Sequence, residues 1–296
     1  MQKTVLWMEG MMLFESPLGR VDAMRLLLLW EGELGRGRIT GLFGVGATRA
    51  SQWIREFRDV YPNAAVWDTR TRSFHALPEF FDNFESERRH SGSWSASLSR
   101  YLALTGLPVD DPAARDDGIQ WASYPELAAP RPAIFSAIQR AIRHREVLQV
   151  VYSSMNHPEP HGRDIAPHGL VKAGRRWHVR AYCEKARDFR DFSIGRIAAV
   201  EMLGRRAEKD PESDVAWNTW VPVHLVAHPG LTPAQSRVIA REYFSDESGR
   251  VDRCRGSLVH YFVQDLMAAV DVANQQAPNY QLAVQNISEV QPWLFR

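Results

Sequence analysis

With 296 residues, 45% of them hydrophobic and 24% charged, the chain has ordinary globular composition and enough length for two or three domains, each burying its own core. No apolar run approaches the roughly 20 residues that span a bilayer, which excludes a helical membrane protein. Cys183 and Cys254 lie far apart without metal-type spacing, which argues against a disulfide framework or a zinc site and fits a reducing cytoplasm. The segment from Met1 to Met12 lacks an export signal, and Met11 or Met12 could serve as the start. The net charge of +1 hides local excesses. From Leu34 to Ala76 seven Arg face three acidic residues, a local +4, and from Ile134 to Arg205 thirteen Lys and Arg face seven acidic residues, a local +6. The tail from Arg206 has eight basic against eleven acidic residues. Two basic regions separated by a near-neutral linker suggest two surfaces that each meet an anion.

In chain order, Val21, Met24, Leu27 and Leu28 recur at helical spacing from Pro17 to Glu31, with Ser16 placed as the cap. A glycine-rich break from Gly32 to Gly37 follows. A short helix from Ile39 to Phe43 leads into Gly44-Val45-Gly46, where glycine permits a tight interhelical turn. A third helix is expected from about Ala47 to Tyr61. Its Ala50, Ile54, Phe57 and Tyr61 would face inward, flanked by Trp53, and Thr48, Arg49, Ser51, Gln52 and Arg55 outward. Arg offers a bidentate fork to guanine, Gln can pair with adenine, and Thr or Ser reaches phosphates or bases. Pro62 ends this helix. Ala64 to Asp68 and Phe74 to Ala76 then read as short strands joined by a basic tip carrying Arg70 and Arg72. A polar, Arg-bearing helical face is usually just a solvated one; here the order of helices, glycine turn and basic hairpin carries the reading. In "FGVGATRASQWIREF" the segment resembles winged helix-turn-helix regulators, although Gly46 stands where many relatives place a capping Ser or Thr.

Between Phe84 and Pro132, Ser, Pro, Asp and Ala dominate, so the stretch reads as a spacer with at most one helix, around Trp94 to Thr105. Ile134, Ile138, Ala141 and Ile142 then mark a helix ending near His144, followed by a strand from Val147 to Ser153. In "RRWHVRAYCE", Trp177, Val179, Ala181 and Cys183 alternate with His178, Arg180, Tyr182 and Glu184, so a strand would bury the first set and present the second. "FRDFSIGRI" adds Arg190 and Arg196 around Phe192-Ser193-Ile194. Beyond Arg206, Val221, Val223 and Leu225 alternate as a strand, and Thr232 and Pro233 open a helix. A strand from Ser257 to Val263 would run into a helix from about Gln264 to Asn274, and Tyr280 to Gln285 alternates again, giving a small β-α-β-α-β domain. His224 and His228, near Pro and Gly, make a poor metal site. His144, His157, His161 and His168 fall on Pro-rich loops without ligands to complete one.

The run of a Tyr-Ser strand, "APHGLV", a Trp-centred strand and R-x-F-x-x-x-R-I resembles the WYL domain, a small β-rich ligand-sensing module found behind winged helices; the match covers about Ile134 to Leu203. Trp177-His178-Val179 replaces the naming tripeptide, so a role for its Tyr does not transfer. Overall the chain is similar to repressors that control phage-defence loci of the BREX and CBASS types. The resemblance implies an α+β multi-domain protein, with a winged helix-turn-helix (1–83), a linker (84–132), a small β-barrel-like (Sm-like) WYL domain (133–206) and a small α/β C-terminal extension (207–296) that helps dimerisation. It further implies a ligand pocket drawing on Tyr152, Ser154, His168, Arg180, Tyr182, Arg190 and Arg196. Those residue types suit an anionic effector such as a nucleotide or oligonucleotide, since Arg forks grip phosphate and aromatic faces stack bases. The alternative is that Trp177 and Phe192 are core and that Arg190 and Arg196 pair with Asp188, Asp191 or Glu201. No Walker loop, H-E-x-x-H or nucleophile elbow occurs, so a non-enzyme is expected, with no cofactor or metal. A cytoplasmic homodimer on an inverted-repeat duplex operator, with no membrane partner, is the expected function. A protein binding RNA or single strands through the basic central module is the other reading.

Overall fold

The computed structural model describes residues 17–91, 94–105, 129–174 and 176–295. The expected Ser16 cap, the alternative starts and the proline-rich stretch from 108 to 125 lie outside these residues. Among the described residues no helix is long and apolar enough to cross a membrane. The chain divides into two compact units, 1–171 with 175–207 and 172–174 with 208–296.

The first unit begins with α1 (Pro17–Glu31), β1 (Glu33–Leu34), α2 (Arg36–Phe43) and α3 (Ala47–Val60). Met24, Leu27 and Leu28 of α1 are buried as their spacing predicts, but so are Leu26, Leu29, Trp30 and Glu31. A helix apolar around most of its circumference must be covered on several sides. Here α3 packs on one side and α5 (Trp94–Leu104) and α6 (Pro132–His144) on others.

The expected break from Gly32 to Gly37 instead holds β1 and the start of α2. Gly32 turns the chain at φ +74°, and a Cβ there would stand 2.7 Å from Cδ of Arg140, so glycine lets α6 approach the turn. Glu33 and Leu34 then pair antiparallel with His75 and Phe74 of β3 (Ser73–Ala76), which also pairs with β2 (Ala65–Asp68), giving the sheet order β1-β3-β2. A two-residue strand has no period to detect, which is why it escaped the sequence. Gly44 caps α2 in the left-handed region at φ +65° with its N–H donated to Thr40 O; Gly46, at φ −68°, is ordinary. The supposed spacer also contains most of α4 (Pro78–Ser91). Its Phe80, buried, and Phe84, half-buried, stand one turn apart in a charged segment.

The rest of the unit is α6 followed by β4 (Glu146–Tyr152), β5 (His161–Ala173), β6 (Arg176–Cys183), β7 (Asp188–Ser193) and β8 (Ile197–Arg206). Ile134, Phe135, Ile138 and Ala141 of α6 are buried, and the helix packs on β4 and β8. Strand order is β7-β6-β5-β4-β8. The pairing is open among the described residues, where a barrel-like module had been expected. The β4–β8 register shifts at both ends of β4, between Glu146 and Leu148 and between Val151 and Tyr152. One hydrophobic cluster runs from Ala23 to Ile197, so the helix-turn-helix and this sheet share a core. Trp30 meets Phe135 edge-on at 5.5 Å, and Phe135 meets Trp177 edge-on at 5.2 Å. Both aromatic centres of "RRWHVRAYCE" and "FRDFSIGRI", Trp177 and Phe192, are buried.

The second unit contains a short α7 (Val215–Asn218), β9 (Trp220–Ala227), α8 (Pro233–Phe244), β10 (Gly249–Arg255), α9 (Val259–Asp265), β11 (Ala268–Ala269), β12 (Leu282–Val284) and α10 (Ile287–Val290). Its sheet order is β10-β9-β12-β11, antiparallel except for β11–β12. Val221, Val223 and Leu225 are buried as predicted, and Thr232 and Gln235 form a full capping box on α8. The strand expected from Ser257 to Val263 and the helix expected from Gln264 to Asn274 are both displaced. Residues 257–265 are helical, with Val259 and Val263 buried one turn apart, and the strand lies earlier, at Gly249–Arg255. A short apolar run does not distinguish strand from helix, and the charged "GRVDRCR" hid a strand at the sheet edge.

Candidate nucleic-acid interface and ligand pocket

On α3, Ala50, Trp53, Ile54 and Phe57 are buried, and Tyr61 beyond its end is half-buried. The opposite face presents Thr48, Arg49, Gln52 and Arg55 to solvent, with Ser51 half-buried. Thr48, Ser51, Gln52 and Arg55 line a shallow open depression with Ala47 and with Arg36 from the first turn of α2. Arg36 had not been singled out, because in sequence it belonged to the glycine-rich break. Nor had Glu56, yet its carboxylate accepts from Gln52 Nε2 at 2.9 Å and from Arg20 Nε of α1 at 3.0 Å. The pair holds the Gln52 amide in one orientation. Its second N–H and its carbonyl, the two groups an adenine edge needs, stay available.

The hairpin β2–β3 presents Arg70 and Arg72 at its exposed tip. Asp68 shapes that turn by accepting from the amides of Arg70 (2.7 Å) and Thr71 (3.3 Å). Arg58 of α3 lies 4.6 Å over the Phe74 ring, fixing the hairpin to the helix. Arg72 adopts φ +57°. Arg70 turns back, and its Nη1 donates to Glu146 Oε1 at 2.7 Å, at the start of β4.

A buried charged network lies between the helix-turn-helix and α6. Glu31 accepts from Arg38, from Arg143 at 2.9 Å and from the Tyr101 hydroxyl at 3.2 Å. Glu33 accepts from Ser73 Oγ and Arg143, and its Oε2 lies 3.0 Å from His144 Nε2 and 3.3 Å from His75 Nε2. Burial opposes a charged Glu33, but hydrogen bonds from His75, Arg143 and His144 outweigh it and hold the carboxyl far below its ordinary range. The donor atoms of Glu33, His75 and His144 lie within 4.8 Å of one another, a set of metal-ligand type. Arg140 Nη2 stands 2.9 Å from His75 Nδ1, however. A guanidinium only donates, so in the neutral ring Nδ1 accepts and the hydrogen sits on Nε2, the nitrogen a shared metal would need. The donor chemistry is that of a salt-bridge network.

The expected pocket residues are distributed over both faces of the β5–β6–β7 sheet and the turn after β4. Cross-strand pairing puts His178 opposite Ser193, Arg180 opposite Asp191 and Tyr182 opposite Phe189. His168 and Tyr182 both meet the Phe189 ring edge-on, at 5.5 and 5.2 Å. Arg180 is buried and paired with Asp191 at 3.3 Å. Tyr152 is buried against Phe192, and its hydroxyl accepts from the Ser193 amide at 3.4 Å. Ser154 is engaged in the turn after β4, where its hydroxyl accepts from the His157 amide. Arg190 pairs with Ala181, in the alternation opposite to Arg180 and Tyr182, and so projects from the other face of the strands. Burial, together with Arg176 and Arg196, pushes the His178 imidazole down to about 4. Arg176 and Arg196 thus lie near a neutral His178 imidazole; the alternation that singles out Arg180 and Tyr182 in the sequence also marks His178. In the second unit, the ring nitrogens of buried His228 are engaged by the Gln275 carbonyl and the Gly230 amide.

Family profiles match three stretches: the BrxR transcriptional regulator winged helix-turn-helix domain at residues 18–91, the WYL domain at 133–202 and the BrxR transcriptional regulator C-terminal dimerization domain at 220–290. The DNA-binding transcriptional repressor CapW of Pseudomonas aeruginosa is 34% identical over 92% of this chain and 89% of its own length. Its namesake from Stenotrophomonas maltophilia is 33% identical over 93% of this chain and 91% of its own length. A solved structure, proteasome accessory factor B/C of Arthrobacter aurescens, aligns at a TM-score of 0.27 and 18% identity, over 93% of this chain and 48% of that one. With near-complete coverage at this identity, and with its winged helix, WYL domain and C-terminal domain in the same order, the chain belongs to the family of BrxR- and CapW-type WYL-domain transcriptional regulators.

Proposed function

We propose that the chain represses a bacterial phage-defence locus, binding an inverted-repeat operator as a homodimer and answering an anionic nucleotide or nucleic-acid effector. The observation that carries this reading is the division of α3: four side chains suited to base edges and phosphate are exposed while the opposite stripe is locked into the core. A two-fold dimer presents two such helices to two half-sites related by the same symmetry. The second unit is the dimerisation module in this reading. Its surface carries Val238 and Tyr243 on α8 and Val251 on the edge strand β10, apolar side chains that a second copy would cover. The functional modules are residues 1–83, 133–206 and 207–296, with 84–132 linking the first two.

Sequencing the DNA retained by the purified protein, with and without candidate nucleotides, tests the whole reading. Enrichment of an inverted repeat is expected; retention of random or single-stranded sequences overturns it. Within the interface, Arg49→Ala and Gln52→Ala should each cost about 1–3 kcal/mol of operator affinity and relax base preference, whereas Arg72→Ala should weaken all duplexes alike. Competition binding against single-base operator variants separates the two behaviours, and equal losses on specific and random DNA refute the assignment.

The effector site centres on Arg176, His178 and Arg196, with Arg180 and Tyr182 farther along β6, Tyr152 and His168 on β4 and β5, and Ser154 at the margin, while Arg190 faces away. Arg196→Ala should leave operator affinity within about twofold while abolishing the effector's influence on it, because the guanidinium supplies phosphate contacts rather than core packing. Titration of operator complexes with oligonucleotides reads both; loss of operator binding in a folded variant would make Arg196 structural.

A further inference from the structure

Of the two arginines at the tip of the basic hairpin, Arg70 and Arg72, the first is already held by a carboxylate of the central module. Arg70 Nη1 donates to Glu146 Oε1 at 2.7 Å, and the two ends differ sharply in environment: the Arg70 side chain is 66% exposed and the Glu146 side chain 6%. A long, exposed guanidinium can swing to another anion, while the buried carboxylate stays where β4 puts it. Glu146 keeps cationic company when Arg70 leaves, since Arg140 feels its charge as well as those of Glu33 and Asp68. Arg140 in turn touches His75 on β3, so the same cationic side chain links β4 to the wing sheet. Glu146 also opens the strand whose far end is Tyr152, at the candidate effector site, six residues and about 20 Å along one extended segment. Register shifts with β8 fall at both of these ends, the places where a strand can bend without losing its ladder.

We propose that Glu146 is a positioning residue for DNA binding: it competes with duplex phosphate for the Arg70 guanidinium and thereby couples the wing to the strand that carries the effector site. The proposal rests on the reading of Arg70 as a phosphate contact. Binding free energies are reciprocal, so whatever moves β4 relative to the wing changes phosphate affinity, and phosphate binding by Arg70 releases β4.

The test uses the full-length protein and a random-sequence duplex of about 30 base pairs, with binding followed by fluorescence anisotropy between about 50 and 200 mM salt. Arg70→Gln should weaken binding and reduce the salt slope by about 1, the signature of one lost phosphate contact. Glu146→Gln, which keeps the shape but drops the charge, should tighten binding about three- to tenfold, and the gain should vanish in the Arg70→Gln background. Glu146→Asp keeps the charge beside Arg140 but withdraws the carboxylate from Arg70's reach, so it should also tighten binding and decides the matter if Glu146→Gln does not fold. An unchanged salt slope in Arg70→Gln overturns the phosphate reading and the proposal with it. A normal slope effect, with folded Glu146 variants that bind no tighter or whose gain survives the loss of Arg70, overturns the competition alone.

Discussion

Glu33→Ala is expected to destabilise the first unit by about 3–5 kcal/mol, measured as the shift in its denaturant midpoint, because it removes one partner from a buried ionic cluster and leaves the others. Arg143 would keep its bond to Glu31, but His144, His75 and Ser73 would lose the carboxylate they converge on. The effect has a defined pH dependence. Glu33 is held far below its ordinary value of 4.5, so the unfolded chain binds its proton first as the pH falls. The stabilisation is therefore fully present above about pH 4.5 and is lost progressively below it. The gap between wild type and Glu33→Ala should be constant from neutral pH down to about 4.5 and narrow in more acid solution. A gap below about 1 kcal/mol at neutral pH would mean that the network contributes no net stability, and one that widens on acidification would mean that the Glu33 carboxyl is not held below its ordinary value.

The elements legible in the sequence were those whose burial follows a simple period. The face of α3, the stripe of α6 and the alternation of β6 all rest on side chains that are apolar inward and polar outward, which is what a pattern detects. What escaped was set by partners distant in sequence. Glu31 and Glu33 look like ordinary surface acids until the turn into α2 brings Arg38, and the packing of α6 on α1 brings Arg143 and His144, to them. Arg180, expected to be available to a ligand, is instead buried against Asp191 of the neighbouring strand. Arg36 and Glu56 joined the candidate interface for the same reason: their relevance lies in which helix crosses which. Register likewise decided Arg190, since a single step along β7 sends a side chain to the opposite face.

Trp30→Ala should be at least as damaging as loss of Glu33, about 3–5 kcal/mol, and its consequences should reach both functions. Trp30 is fully buried at the end of α1. Its ring stacks toward Tyr101 of α5 at 6.3 Å and meets Phe135 of α6 edge-on, and Phe135 passes the contact to Trp177 of β6. The Trp30 carbonyl accepts from Gln139 of α6 at 3.0 Å, so backbone and side chain alike tie the helix-turn-helix to the central sheet. A cavity here cannot be filled by one neighbour without pulling on another element, and partial collapse keeps the cost high. Phe135→Leu retains more of the volume and should cost less, about 1–2 kcal/mol, while loosening the same joint. If the joint transmits effector binding, Phe135→Leu should bind operator nearly as well as wild type yet respond less to an effector. Urea denaturation ranks the two variants, and operator binding with and without oligonucleotide reads the coupling. A Trp30→Ala protein with wild-type stability, or a Phe135→Leu protein whose effector response is intact, would show that the shared core holds the two modules together without carrying the signal between them.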